Sequence, residues 1–140
     1  MSNYQKVIYG KYPKSNYPNQ LANHLVTNYF TIENAKLLDV GCGDGTYVKL
    51  FNKLNLQSEG VDIVDGIDFN VDKLPFNDNT FDYIFSKSVI EHIHNTENFL
   101  SECYRVLKPE GMILILTPAW EFNYRWFYDD PTHVKPFHRK

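Results

Sequence analysis

The chain is poor in cysteine, modest in glycine and free of long apolar runs, and each shortage excludes something. Its 140 residues include 2 cysteines, Cys42 and Cys103. Neither has a neighbouring thiol or a paired histidine, so no disulfide framework and no zinc site is expected. No apolar run approaches the roughly 20 residues that cross a bilayer. The opening residues lack the basic-then-apolar layout of a secretory leader, so a cytoplasmic location and no membrane partner are expected. The formal charge is −3, so no positive field draws the chain to nucleic acid or anionic lipid. The basic cluster from Lys135 to Lys140 reads as a solvated tail. Repeats and low-complexity stretches are absent too. What is present, 43% hydrophobic and 16% aromatic content, suffices for the core of one domain over 1–140 and not of two.

Residues 1–18, rich in Tyr, Asn, Lys and Pro, read as an irregular lead-in to a core over 19–118. Leu21, Ala22, Leu25, Val26, Tyr29 and Phe30 recur at helical spacing within Asn19–Phe30. Lys36–Val40 is a short apolar run ending in glycines, the pattern of a strand buried on both faces. Helical spacing resumes over Thr46–Leu54. A second strand is predicted at Ser58–Asp62, a weak third near Ile67–Phe69 and a fourth at Phe81–Ser86. The intervening Leu74–Asn79 is turn chemistry. Thr96 is the expected cap of a helix to about Leu107, stopped by Lys108-Pro109-Glu110-Gly111. Met112–Thr117 is the most hydrophobic strand, and 119–140 reads as an aromatic, loop-like tail. Strands alternating with helices imply an α/β fold: a Rossmann-like, doubly wound, mostly parallel sheet of about five strands.

The sharpest local signal is Asp39-Val40-Gly41-Cys42-Gly43-Asp44-Gly45. A strand running into closely spaced glycines and then a helix lets backbone approach a ligand without Cβ interference. In parallel sheets ligands bind beyond the carboxyl ends of the strands, where this turn falls. The spacing differs from the dinucleotide pattern, whose third glycine position is occupied here by Thr46. Asp39 also places a carboxylate where a pyrophosphate would be repelled, and a cationic ligand would be welcome. Asp62, at the end of the second strand, can accept hydrogen bonds from both hydroxyls of a ribose.

In these residues the chain resembles class I S-adenosylmethionine-dependent methyltransferases of the small-molecule branch. Leu37–Gly45 resembles their first motif and Glu59–Ile63 the acidic strand after it. Leu74–Asp82, Ser88–Ile93 and Glu102–Gly111 continue the match, which spans about Lys36 to Pro118. The resemblance implies S-adenosylmethionine as cofactor. Backbone at Gly41, Cys42 and Gly43 would hold its methionine moiety, Asp39 its amino group, Asp62 with Ile63 its ribose, and the backbone at Ser86 its amino acid end. The usual adenine-reading aspartate falls on Asn70, and Asp68 is the alternative. Some relatives bind a divalent ion through Glu-x-x-Glu-His. Here Ser88 replaces the first glutamate, so Glu91 and His92 are read as packing or hydrogen-bonding groups and no metal is expected.

Methyl transfer from a sulfonium is an in-line displacement, so the protein chiefly aligns the acceptor and excludes water. The resemblance makes His133, in Asp129–Phe137, the candidate general base beside the acceptor pocket. A loop histidine bonded to nearby backbone is the competing reading. Trp120, Phe122, Tyr124, Trp126, Phe127 and Tyr128 either wall that pocket or form the underside of a loop. The acceptor is expected to be a small molecule, with no nucleic acid partner, because there is no basic groove and no Asn/Asp-Pro-Pro-aromatic motif. Family members usually close the sheet with two further strands that this sequence lacks. Its last strand would then be an apolar edge, so the chain is expected either to be one piece of a longer protein or to have that edge covered by its aromatic tail or by another subunit of a homo-oligomer. A non-catalytic cofactor- or partner-binding module is the alternative reading.

Overall fold

A computed structural model describes residues 15–138. Helix α1, Tyr17–Asn28, precedes strand β1, Lys36–Val40, and helix α2, Thr46–Lys53, leads to β2, Gln57–Val61. Strand β3 is Phe81–Lys87, helix α3 is Thr96–Val106, β4 is Leu107–Leu116, and a four-residue helix α4, Trp120–Asn123, follows. The strands form one parallel sheet in the order β2-β1-β3-β4. The direction of winding therefore reverses between β1 and β3, and the ends of these two strands frame a crevice.

Alternation along the strands builds two cores. Leu37, Tyr83 and Phe85 face α1 and α2, packing with Ala22, Leu25, Phe30 and Phe51. Leu38, Val40 and Ile84 face the other way, onto Phe99, Cys103 and Val106 of α3. A strand with both faces covered has to be apolar at every position, and from Leu37 to Val40 only Asp39 is polar. Asp39 is nonetheless buried.

Among the described residues four strands form, and the expected third does not. At Ile67–Phe69 the chain instead closes on itself, with the Asp68 carboxylate accepting the Asn70 N–H at 2.9 Å and the Asp68 N–H donating to Asp72 Oδ2 at 2.8 Å. Local Asx bonding of this kind competes directly with a strand ladder. Several boundaries also move. Pro18 lies in the first turn of α1, where its missing N–H costs nothing, so Tyr17 and Pro18 leave the lead-in. The cap of α3 is Asn95, whose side chain accepts the Asn98 N–H at 3.1 Å, in place of Thr96. Strand β4 starts at Leu107, opposite Phe81, and slips register before Met112 pairs with Tyr83. Pro109, which has no N–H, and Glu110 at φ +64° lie in that slip. The rest of the expected lead-in, residues 1–14, and the end of the basic tail, residues 139 and 140, lie outside the described residues.

Arg105 staples the turn before β3 to α3. Its Nη1 donates to the Phe76 carbonyl at 2.8 Å and to Asp78 at 2.7 Å, and its Nη2 to the Leu74 carbonyl at 2.9 Å and Glu102 at 2.7 Å. Glu102 in turn accepts the Leu74 N–H at 2.8 Å. Arg105→Met would leave these partners unpaired in a part-buried place. We expect a loss of about 2–3 kcal/mol in stability, read as a lower urea midpoint at unchanged slope.

Candidate cofactor crevice and acceptor side

β1 runs straight into the turn Gly41–Gly45, where Gly41, Gly43 and Gly45 take φ of +82°, +57° and +71°. The turn needs more than permissive backbone at Gly41. A Cβ built there would lie 2.2 Å from Val89 Cγ2, so this glycine lets the segment after β3 press against the end of β1. The N–H groups of the turn are largely committed within the protein. Gly41 and Cys42 donate to the Val61 carbonyl at 2.8 and 3.2 Å, and Gly45 to the Cys42 carbonyl at 2.9 Å. Gly43 donates to Asp62 Oδ2 at 2.8 Å. What the turn offers a ligand is therefore close approach more than a ring of free donors.

Asp62 is thus both a turn-holder and a candidate ligand. Its other oxygen accepts the Val64 N–H at 3.3 Å, and its own N–H donates to Asp65 in a capping box over Ile63–Asp65. A carboxylate has about four lone-pair positions, so these two bonds leave acceptor capacity for a diol. Ile63 beside it is an exposed apolar surface. Cys42 packs toward Gly60, where a Cβ would meet its sulfur at 2.7 Å. Burial and then the charges of Asp39, Asp62 and Asp65 push its thiol up to about 11, which removes it as a nucleophile.

Asp39 is only 2% exposed, and its Oδ2 has no hydrogen-bond partner. Burial, and next the nearby Asp62 charge, push its carboxyl up to about 7, with Lys87 acting in the opposite direction. Ser86, at the far end of β3, is buried and donates its hydroxyl to the Val40 carbonyl at 2.8 Å, tying the two crevice strands together. Further out, Asn70 Oδ1 accepts the N–H groups of His94 and Asn95 at 2.9 and 3.0 Å, so its acceptor is occupied. Asp68 is exposed, and its Oδ1 accepts from Asn70.

On the β4 side the tail folds back. Phe137 bridges to Ala119, and the N–H groups of Val134 and Lys135 donate to the Glu91 carbonyl at 2.8 and 3.2 Å. The aromatic residues divide. Phe127 is buried, in ring contact with Trp120, Tyr128 and His133, whereas Phe122, Tyr124 and Trp126 face outward. His133 donates from Nδ1 to the Phe127 carbonyl, and its ring centre lies 4.7 Å from that of His92 with the planes tilted by 54°. Spacing along the chain does not signal that second contact, since the two histidines are 41 residues apart. A separate cleft of about 320 Å³, lined by Phe30, Glu33 and Leu56 among others, opens at the amino ends of β1 and β2, away from this crevice.

A parallel, doubly wound sheet with a glycine turn and two acidic strand ends at its switch point defines a nucleoside-cofactor domain of the α/β class. Within that class the chain belongs to the methyltransferase domain family, whose model matches residues 38–115. It is 30% identical over 118 residues to a Mycolicibacterium smegmatis protein named "Probable S-adenosylmethionine-dependent methyltransferase", a match covering 74% of this chain and 45% of that one. It is 32% identical over 108 residues to the mitochondrial ubiquinone biosynthesis O-methyltransferase of Rattus norvegicus, covering 61% of this chain and 31% of that one. The structure of a SAM-dependent methyltransferase from Archaeoglobus fulgidus superposes with a TM-score of 0.66 at 23% identity, covering 96% of this chain and 66% of that one. The chain thus spans less than half the length of these two sequence relatives. Among the described residues no helix is long and apolar enough to cross a membrane.

Proposed function

We propose that this chain binds S-adenosylmethionine in the β1/β3 crevice and that the protein methylates a small-molecule acceptor. One observation carries the cofactor reading: Asp39 Oδ2 is a buried carboxylate oxygen without a partner, beside the glycine turn and near a second carboxylate, Asp62. Two acidic groups at one crevice favour a ligand with an ammonium and a sulfonium over one with a pyrophosphate. When bound, the cofactor supplies the electrophilic methyl group. Asp39 pairs with its ammonium, Asp62 accepts from the ribose hydroxyls, and the Gly41–Gly45 turn lets the chain close around it. Asp68 reads the adenine in preference to Asn70, whose acceptor is used by the backbone at His94 and Asn95. On the acceptor side, His133 holds its Nδ1 proton on Phe127, and its other ring nitrogen, 4.0 Å from the Asp130 carboxylate, takes a proton from an acceptor hydroxyl or ammonium.

The small-molecule reading rests on the name of one relative, a ubiquinone biosynthesis O-methyltransferase, and on a net charge of −3. Transfer of labelled methyl groups into a cell extract, separated by size, tests it. Label in the low-molecular-mass fraction is the expected result, and label only in protein or nucleic acid would refute it. For the cofactor, titration with S-adenosylhomocysteine should give micromolar binding, weakened by about 1–3 kcal/mol in Asp62→Ala, which loses charged acceptors. Equal binding by both proteins would remove Asp62 from the site.

A further inference from the structure

Of the aromatic rings that follow β4, Phe127 is buried, and packing accounts for it. Three others gather around it without being covered in the same way. Trp120 lies in edge contact with Tyr124, Phe127 and Tyr128, at ring-centre distances of 6.4, 5.7 and 6.1 Å. Yet Tyr124 is 51% exposed and Tyr128 59%. Exposed rings scattered singly need no explanation, but a contiguous group beside a candidate site does. Inclined aromatic rings present negative π faces, and such a face attracts a cation within about 6 Å. One cation is already held this way. The Arg125 guanidinium carbon lies 5.6 Å from the centre of the Tyr124 ring, and Arg125 Nε donates to the Tyr124 hydroxyl at 2.9 Å. Charge agrees with the rings: from Ala119 to Asp130 the chain carries Glu121, Asp129 and Asp130 against Arg125 alone. The group also adjoins the proton acceptor of the proposed reaction, because the Phe127 ring centre lies 4.4 Å from that of His133.

We propose that Trp120, Tyr124 and Tyr128 form an aromatic receptor for an alkylammonium group, so that the methyl acceptor is a small amine. The identity of the acceptor rests on the methyl-transfer reading, whereas the binding of an ammonium group by these rings does not. Transfer to an amine places positive charge on the acceptor. His133 Nε2 takes the ammonium proton, and the freed nitrogen lone pair forms the new carbon–nitrogen bond. The carbon–sulfur bond breaks with its electron pair left on sulfur. The nitrogen therefore ends as a cation with one more methyl group, and π faces in an acidic segment stabilise the charge as it develops there. A hydroxyl acceptor ends as a neutral ether and gains nothing from them. Rings suit a methylated ammonium in particular, because it has few or no N–H groups left to offer a carbonyl or carboxylate. The Arg125 contact shows that the Tyr124 face accepts a cation in this fold.

The test has two arms. In the first, the chain is titrated calorimetrically, with and without S-adenosylhomocysteine, using choline and its neutral isostere in which a quaternary carbon replaces the nitrogen. Choline should bind in the millimolar range and about tenfold more tightly than the isostere, a difference due to charge at constant shape. Trp120→Leu, Tyr124→Leu and Tyr128→Leu should each weaken choline about threefold or more. Tyr124 and Tyr128 are exposed, so their variants should keep the wild-type melting temperature and S-adenosylhomocysteine affinity. Tyr128→Phe, which keeps a ring, should restore choline binding, and Phe122→Leu, at an outward-facing ring, should leave it unchanged. Equal affinity for the two probes, no choline binding, or wild-type affinity in all three leucine variants would overturn the receptor. In the second arm, the labelled products of the extract assay are identified by mass spectrometry and should carry the new methyl group on nitrogen. Label confined to small molecules methylated on oxygen, sulfur or carbon would overturn the amine acceptor and leave small-molecule methylation standing. Absence of any small-molecule label would instead refute the methyl-transfer reading and the amine acceptor with it, and the choline titration then decides the receptor by itself.

Discussion

Gly41→Ala is expected to abolish measurable S-adenosylhomocysteine binding, a loss of at least 100-fold, and to lower stability by about 2–5 kcal/mol. Two costs combine. A left-handed residue with a Cβ costs roughly 1–2 kcal/mol, and overpacking a filled contact about 1–3 kcal/mol more. The second cost follows from Val89, whose Cγ2 would lie 2.2 Å from the new methyl group. Relief requires either the turn or the 88–92 segment to move, and both border the crevice. Gly45→Ala separates the two costs, because Gly45 is also left-handed, at φ +71°, but has no atom within 4 Å of the added Cβ. It should lose about 1 kcal/mol and bind within a few-fold of wild type. Val89→Ala placed on Gly41→Ala should recover part of the lost stability, since the clash term needs both methyl groups. Isothermal titration and thermal melts on the four proteins decide the matter. If Gly41→Ala behaved like Gly45→Ala, the pressing of Val89 on the turn would be irrelevant to binding.

The contrast between these two glycines also separates what is legible in the sequence from what is not. Residues whose roles follow from local pattern appear where expected: the apolar run Leu37–Val40 as a strand, the glycines at its end and a helix opening at Thr46, while Asp62 falls one residue past the neighbouring strand. Periodicity and turn chemistry act over a few residues, so a sequence displays them. Ile67–Phe69 misleads because a short apolar run does not reveal that Asp68 and Asp72 will bond the backbone locally. Partnerships across the chain are invisible for a different reason. That Asn70 spends its acceptor on His94 and Asn95, that Asp62 holds Gly43, and that His133 meets His92 all depend on how crossovers return to the sheet. Spacing along the chain carries no record of such meetings. Val89 is hidden in the same way, lying 48 residues from the glycine whose size it dictates.

Asp39→Asn should stabilise the ligand-free protein while removing its grip on the cofactor. The carboxyl is pushed up to about 7 in the folded state, from 3.8, first by burial and then by Asp62. A folded pKa above the unfolded one means that folding favours the protonated acid. The stabilisation from this group is therefore complete below about pH 4, declines as the unfolded chain ionises, and is gone once the pH rises through about 7. At 1.36 kcal/mol per unit this approaches a few kcal/mol. Asparagine has no charge to bury, so the variant should match the wild type in thermal melts near pH 4 and exceed it increasingly toward pH 7, with a constant lead above. Binding runs the other way. A cationic ligand needs the carboxylate, so the wild type should release close to one proton on binding S-adenosylhomocysteine at pH 6, and its affinity should fall up to tenfold per unit below pH 7. Calorimetry in two buffers of different ionisation enthalpy counts that proton. The variant should bind about 10- to 100-fold more weakly at pH 8, by loss of a charged hydrogen bond, and release none. A variant that bound as tightly as wild type with the same pH slope would take Asp39 out of the ligand's reach, and its buried, unpartnered oxygen would then be a cost the fold bears without return.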